Sequence, residues 1–238
     1  MILKKRSEGM ILEVIATCAE DAIIAEANGA DRLELVTAMT EGGLTPGIGL
    51  VRQVLKSVNI PVHVMVRPHS RSFVYSEADI QTMEEEARAV EDAGAAGIVF
   101  GALTEERQID EVALARILAA SGGMNVTFHR AFDELRDLPE GLHTLLKHPQ
   151  VNRVLTSGGP LPAPQATSEI RQLVELAHDS SLVILGGYGL TLETVERFIS
   201  DTMVTEVHFG SDVRFGGKGL SPVDPDRLSA LSNCLKLY

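Results

Sequence analysis

Tryptophan is missing from this chain, cysteine occurs twice, and aromatic residues make up only 4% of it. The two cysteines, Cys18 and Cys234, form no Cys-x-x-Cys pair, which excludes a disulfide framework and a structural zinc site. Positive charge is scarce as well: 21 Lys and Arg stand against 33 Asp and Glu, a formal net charge of -12. That balance excludes a surface holding nucleic-acid phosphates non-specifically, so any bound anion needs a local basic site. No apolar run approaches the roughly 18 residues of a membrane helix. Lys4, Lys5 and Arg6 lead into a segment broken by Glu13 and by Cys18-Ala19-Glu20-Asp21, which is not the build of a signal peptide. These absences describe a soluble, cytoplasmic protein with neither nucleic acid nor membrane as partner. Residues 1–9 read as a flexible N-terminal extension.

What the chain does contain is a repeat of pattern: a short β-branched run, a turn bearing Gly or Pro, then an amphipathic helix, eight times over. The strand runs are 11–16, 32–36, 61–66, 97–101, 125–129, 153–157, 182–186 and 206–210, and the helices fall near 19–28, 47–57, 77–93, 110–120, 138–148, 166–178, 191–199 and 224–235. Helix ends agree: Thr45-Pro46 precedes the second helix, Ser76 with Asp79 the third and Thr191 with Thr194 the seventh, while Asn28-Gly29 and Ala93-Gly94 close the first and third. Eight alternating pairs predict an α/β fold, a (β/α)8 TIM barrel forming one domain over residues 10–238.

Parity along the strands carries the functional information. Leu12 and Val14 oppose Glu13; Leu33 and Leu35 oppose Arg32 and Glu34; Val62, Val64 and Val66 oppose His63, Met65 and Arg67. Val126 and Phe128 oppose Thr127 and His129, and Val207 and Phe209 oppose Glu206 and His208. The continuous apolar face packs on helices, which turns the charged face into the barrel. A carboxylate there is costly unless paired, so Glu13 and Glu34 need partners such as Arg32, Arg67 or Arg130. Either an ion-pair network holding the barrel layers or a functional site accounts for these groups, and their convergence favours the site.

Active sites of this fold lie at the carboxyl ends of the strands. There, Thr156-Ser157-Gly158-Gly159, Gly187 and Gly189, and Gly210-Ser211 offer backbone N–H groups to an anion, or simply make tight turns. Gly186 to Gly189 lacks dinucleotide-fingerprint spacing, and Lys218 is not followed by the Ser or Thr of a P-loop. His129 with Arg130 and Asp133 suits an acid, base and anion clamp; a buried histidine satisfied by Glu13 or Glu206 is the alternative. His63 and Met65, two apart on one strand face, are a soft pair for Cu(I), or Met65 is core filler. Glu84-Glu85-Glu86 with Arg88 reads as a solvated helix face.

Six blocks together resemble the CutC family, named for copper homeostasis: Gly29-Ala30-Asp31-Arg32-Leu33-Glu34-Leu35, Glu41-Gly42-Gly43-Leu44-Thr45-Pro46, Val64-Met65-Val66-Arg67-Pro68, Thr127-Phe128-His129-Arg130-Ala131-Phe132-Asp133, Val154-Leu155-Thr156-Ser157-Gly158-Gly159 and Glu206-Val207-His208. The resemblance implies a self-associating cytoplasmic barrel, most simply a homodimer, that handles copper, with a pocket of Glu13, Arg32, Glu34, Arg67, His129, Arg130 and His208. Where family members carry cysteines, the suggested copper ligands, this chain has Ile15, Ala16 and Val36. Copper is therefore a possible cofactor with no metal ligand assigned. Two expectations follow. One is a CutC-like copper homeostasis protein. The other is an enzyme acting on a small anionic, possibly phosphorylated, metabolite in the barrel mouth, with Glu13, Glu34, Arg67, His129, Arg130 and His208 catalytic. Arg32, Thr156, Ser157, Gly158, Gly159, Gly187, Gly189, Gly210 and Ser211 would then hold the ligand.

Overall fold

The structure, a computed structural model, describes residues 9–238; the expected extension, but for Gly9, lies outside them. Eight parallel strands close into a barrel in chain order, β1 pairing with β8. The strands are β1 (Ile11–Ala16), β2 (Arg32–Leu35), β3 (Val62–Met65), β4 (Gly97–Phe100), β5 (Asn125–Phe128), β6 (Val151–Thr156), β7 (Val183–Gly187) and β8 (Glu206–Phe209). The helices between and after them are α1 (Ala19–Ala27), α2 (Ile48–Ser57), α3 (Glu77–Asp92), α4 (Glu111–Ala120), α5 (Leu138–Leu145), α6 (Thr167–Ala177), α7 (Val195–Thr202) and α8 (Pro225–Leu235). Among the described residues no helix is long and apolar enough to cross a membrane.

The alternation of apolar and charged positions decides which way each strand faces. Leu12, Val14, Leu33, Leu35, Val62, Val64, Val126, Phe128, Val207 and Phe209 are buried in the layer between strands and helices. Each such side chain contributes about 1.5–3 kcal/mol on leaving water. A second, small cluster of Val36, Met65 and Val99, with Ile15 and Met39 against it, fills part of the barrel interior. Interior space left over belongs to polar groups. Parallel pairing sets Glu13 beside both Arg32 and His208, and Ile11 beside Glu206.

Several helix ends form as expected and others differ for local reasons. Ser76 makes a capping box with Asp79, and Asn28 closes α1 ahead of a left-handed Gly29. Thr45, by contrast, does not cap α2, whose N-cap is Gly47 without a side-chain bond. Its hydroxyl accepts from Arg67 N at 2.8 Å and donates to Glu86 at 2.7 Å, tying the end of β3 to α3. The acidic run on α3 is accordingly not all solvated: Glu86 is half-buried, and Glu84 pairs with Arg116 of α4 at 2.9 Å. The seventh helix starts at Val195 rather than 191, because Thr191 and Thr194 bond to each other in a turn before it. β6 begins two residues before the expected Arg153, across a register irregularity with β5.

One buried cation had no sequence signal. Arg214 donates to the carbonyls of Ser221 at 2.7 Å and Ile15 at 2.9 Å, and to the Asp21 carboxylate at 2.9 Å. It thereby straps the loop after β8 onto β1 and α1.

Candidate active site in the barrel mouth

At the carboxyl end of the strands lies a cavity of about 1030 Å³, at the upper end of the range for small-molecule sites. Beneath it runs a buried charge network. Glu206 accepts from Arg32 at 2.6 Å and from Arg153 at 2.8 Å, while Arg32 also donates to Glu13. Burial alone would raise the Glu13 carboxyl, but the charge of Arg32 and the hydrogen bond from His208 overcome it and hold Glu13 ionised. Glu13 and Arg32 therefore lie under the cavity and do not line it, contrary to the expectation that they meet a ligand.

On the floor, His208 Nδ1 is 2.8 Å from Glu13 Oε1, and its Nε2 is 3.9 Å from Glu34 Oε2. Burial, with ionised Glu13 nearby, pushes the Glu34 carboxyl up to about 7. His208 moves upward too: burial opposes its charge, but the carboxylates of Glu34 and Glu13 outweigh it. Among the described residues Glu34 Oε1 has no hydrogen-bond partner.

The wall is built by β3 and β5. Arg67 donates to the carbonyls of Glu41 at 3.1 Å and Gly43 at 3.2 Å, and its guanidinium stacks 4.6 Å above Phe73. Its Nε is buried and meets no acceptor among the described residues. His129 Nδ1 accepts from Ala131 N at 3.2 Å, which puts the ring proton on Nε2, also buried and unpartnered. Burial, reinforced by the charge of Arg67, pulls His129 down to about 3, so it is a neutral hydrogen-bond donor rather than an acid or base near neutral pH. Gly101 is the packing partner that allows this ring position, since a Cβ there would stand 2.6 Å from His129 Nδ1. Gly101→Ala is expected to displace the ring and destabilise the fold by about 1–3 kcal/mol. A urea unfolding midpoint equal to that of the parent protein would contradict this.

At the rim Arg130 lies 3.9 Å from the Tyr188 ring and donates to Asp133 at 2.9 Å. Tyr188 holds a left-handed φ of 76°, a conformation costly for an aromatic residue and found most often where a site imposes it. Asp212, also at the rim, is engaged by Arg227 at 2.6 Å. Gly159, Gly189, Gly210 and Ser211 line the mouth as expected. Thr156, Ser157, Gly158 and Gly187 do not; Gly187 packs against Leu155 and His208, and the β6 loop is taken up by a carboxylate of the chain itself. Asp133 accepts from Thr156 Oγ1 at 2.5 Å, from Ser157 N at 3.0 Å and Oγ at 2.9 Å, and from Gly159 N at 3.3 Å. The N–H groups that looked available to an anion already hold one. Asp133 is thus not the base of a His129 trio but the anchor of the β6 loop.

The model of the CutC family matches residues 10–213, most of the chain. The chain belongs to the CutC family. This CutC-family chain is 40% identical over 202 residues to the copper homeostasis protein cutC homolog of Homo sapiens, covering 85% of this chain and 73% of that one. It is 39% identical over 201 residues to a family protein CutC of Mesorhizobium japonicum, covering 84% and 77%. The solved CutC structure from Streptococcus agalactiae superposes with a TM-score of 0.79 at 29% identity, over 84% of this chain and 97% of that one. N-(5'-phosphoribosyl)anthranilate isomerase from Pyrococcus furiosus, at 19% identity and a TM-score of 0.61 over 96% and 100%, shares the fold alone.

The family's name raises the question of copper, and the donor set does not fit Cu(I). That ion favours thiolate and thioether ligands. Cys18 serves as N-cap of α1, receiving Asp21 N, and Cys234 lies on α8 beside Glu196. Met65 and Met39 line the cavity but are packed with Val36 and Val99, with no thiolate beside them, and His63, which burial holds near 3, is 1% exposed beneath the cavity rather than on its wall. Glu13, Glu34 and His208 do bring ligand atoms within 4.8 Å of one another. Glu13 is nevertheless bonded to Arg32 and His208, and the set is oxygen-rich.

Proposed function

We propose that this CutC-family barrel shares the copper homeostasis role named for its relatives, and does so by binding a small anionic ligand in its mouth rather than by holding Cu(I) itself. The observation that carries this reading is that Arg67 and His129 line one cavity, and each holds a buried N–H, Arg67 Nε and His129 Nε2, that finds no acceptor among the described residues. Buried donors are almost always satisfied, and those that are not mark places where something else supplies the acceptor. Two N–H groups, one of them on a permanent cation, select an oxyanion such as a phosphate or carboxylate.

Two measurements test this. In an anaerobic titration against a strong Cu(I) chelator, the protein is expected to withdraw no copper; one equivalent held tightly would overturn the reading. In a thermal-shift panel of phosphorylated and carboxylated metabolites, at least one member is expected to stabilise the protein, by about 2.7 kcal/mol at a hundredfold excess over Kd. The shift is expected to vanish in Arg67→Ala. A panel without any stabilising member would count against an anion site.

A further inference from the structure

Besides Arg67 and His129, a third residue lining the same cavity holds a buried polar atom with no partner among the described residues: Glu34 Oε1, on a residue 3% exposed. Its chemistry is opposite in kind. A carboxylate lining an anion site would repel the ligand that Arg67 and His129 attract. A protonated carboxyl would instead offer a hydrogen bond. The surroundings of Glu34 decide between them. From β1 it faces ionised Glu13, from β8 His208, and its neighbour across the β2–β3 pairing is His63. Arg32, two residues earlier on its own strand, is committed to Glu13 and Glu206 and makes no bond to Glu34. Apart from the 3.9 Å approach of His208, no cation among the described residues pairs with Glu34, and the barrel interior beside it is partly apolar.

We propose that the floor of the cavity is a proton-donating subsite, in which Glu34 Oε1, backed by His208 and Glu13, takes the uncharged oxygen of a ligand whose anionic end is held by Arg67, His129 and Arg130. The ligand class is then narrower than an oxyanion: a small molecule with a phosphate or carboxylate at one end and a hydroxyl or carbonyl oxygen at the other, such as a hydroxy acid, keto acid or sugar phosphate. This rests on the anion-site reading and adds a second contact at the opposite end of the ligand. Glu13 and His208 act as positioning residues. The bond between them fixes the imidazole so that Nε2 faces Glu34, and its charge state sets that of the carboxyl.

The sign of the pH dependence follows from the chemistry. Below about 7 Glu34 is uncharged and donates; above it the carboxylate repels. The apparent Kd scales inversely with the competent fraction, so affinity falls about tenfold between pH 6 and pH 8. Calorimetry with sulfate and with glycerate tests this, since neither anion titrates in that window. Sulfate at pH 6, where Glu34 is uncharged, reports on the clamp: it is expected to bind the parent protein and Glu34→Gln alike, and not Arg67→Ala. Glycerate adds the hydroxyls. Its Kd is expected to rise about tenfold from pH 6 to pH 8 in the parent and to stay level in Glu34→Gln, an isosteric donor with no proton to lose.

A second measurement needs no variant. Repeating the glycerate titration at pH 8 in buffers of different ionisation enthalpy is expected to show close to one proton taken up per ligand. Sulfate binding with no proton uptake from glycerate, or with the same glycerate pH profile in Glu34→Gln, would overturn the subsite while leaving the clamp standing. A parent protein that holds neither probe would overturn the clamp and the subsite together.

Discussion

Replacing Glu206 by alanine is expected to lower the stability of the barrel by about 3–5 kcal/mol, the loss usual when one member of a buried ion pair is removed. Glu206 is the acceptor for two guanidinium groups, Arg32 at 2.6 Å and Arg153 at 2.8 Å, and all three side chains are largely withdrawn from water. The two arginines do not fare equally without it. Arg32 keeps Glu13. Arg153 keeps no other ion pair among the described residues, and its Nη1 is already without a hydrogen-bond partner there. An arginine cannot escape by deprotonation, so the charge stays in place and the barrel opens to hydrate it. Thermal unfolding should show a fall of about 6–20 °C, from 2–4 °C per kcal/mol in a chain of this size. Pairing Glu206→Gln with Arg153→Met removes the stranded cation and should recover much of the loss. A single Glu206→Ala variant melting within a degree or two of the parent would mean that the network is not what holds the lower barrel.

The second large effect is expected at Asp133. Its two oxygens receive Thr156 Oγ1, the Ser157 amide and hydroxyl, the Gly159 amide and the Arg130 guanidinium. Asp133→Ala strands buried donors that each lose about 1–3 kcal/mol when left unmade, for a total on the order of 4 kcal/mol. It also frees Arg130 from its ion pair, leaving the Tyr188 ring and a long 3.4 Å bond to Ser157 Oγ. Ligand affinity should drop in parallel with stability. The alanine variant leaves a hole shaped for a carboxylate, so formate should restore part of the melting temperature in Asp133→Ala and do nothing for the parent. No destabilisation, or one that formate leaves untouched, would show that the β6 loop is held some other way.

These two residues mark where a linear reading stops being enough. The alternation of strand and helix is local, and the period of two along each strand places Glu13, Glu34, His129 and His208 inside the barrel before any fold is known. Most boundaries fall within a residue or two of their expected places for the same reason. Partner choice is different. Glu13 looked able to pair with Arg32, Arg67 or Arg130, and only the register of β1 with β2 and β8 selects Arg32 and His208, 19 and 195 residues away. Arg67 turned out to bond backbone carbonyls of the preceding loop, and Arg130 an aspartate three residues on. Arg214 sits in a Gly-rich loop with nothing around it to suggest that it is buried. Its partners Asp21 and Ile15 are 193 and 199 residues distant.

The glycine loops teach the same lesson in reverse. Gly158 and Gly159 do adopt left-handed φ values, as glycine beside a bound anion commonly does. The anion is supplied from within by Asp133, which no spacing rule connects to them. Sequence alone determined the barrel, the family and the polarity of its interior, because hydrophobic periodicity and motif blocks are properties of neighbouring residues. Tertiary structure decided which charges neutralise one another and which cavity-lining residues, Glu34, Arg67 and His129, keep a buried polar atom without a partner among the described residues. Both outcomes depend on distances closed only when β1 meets β8.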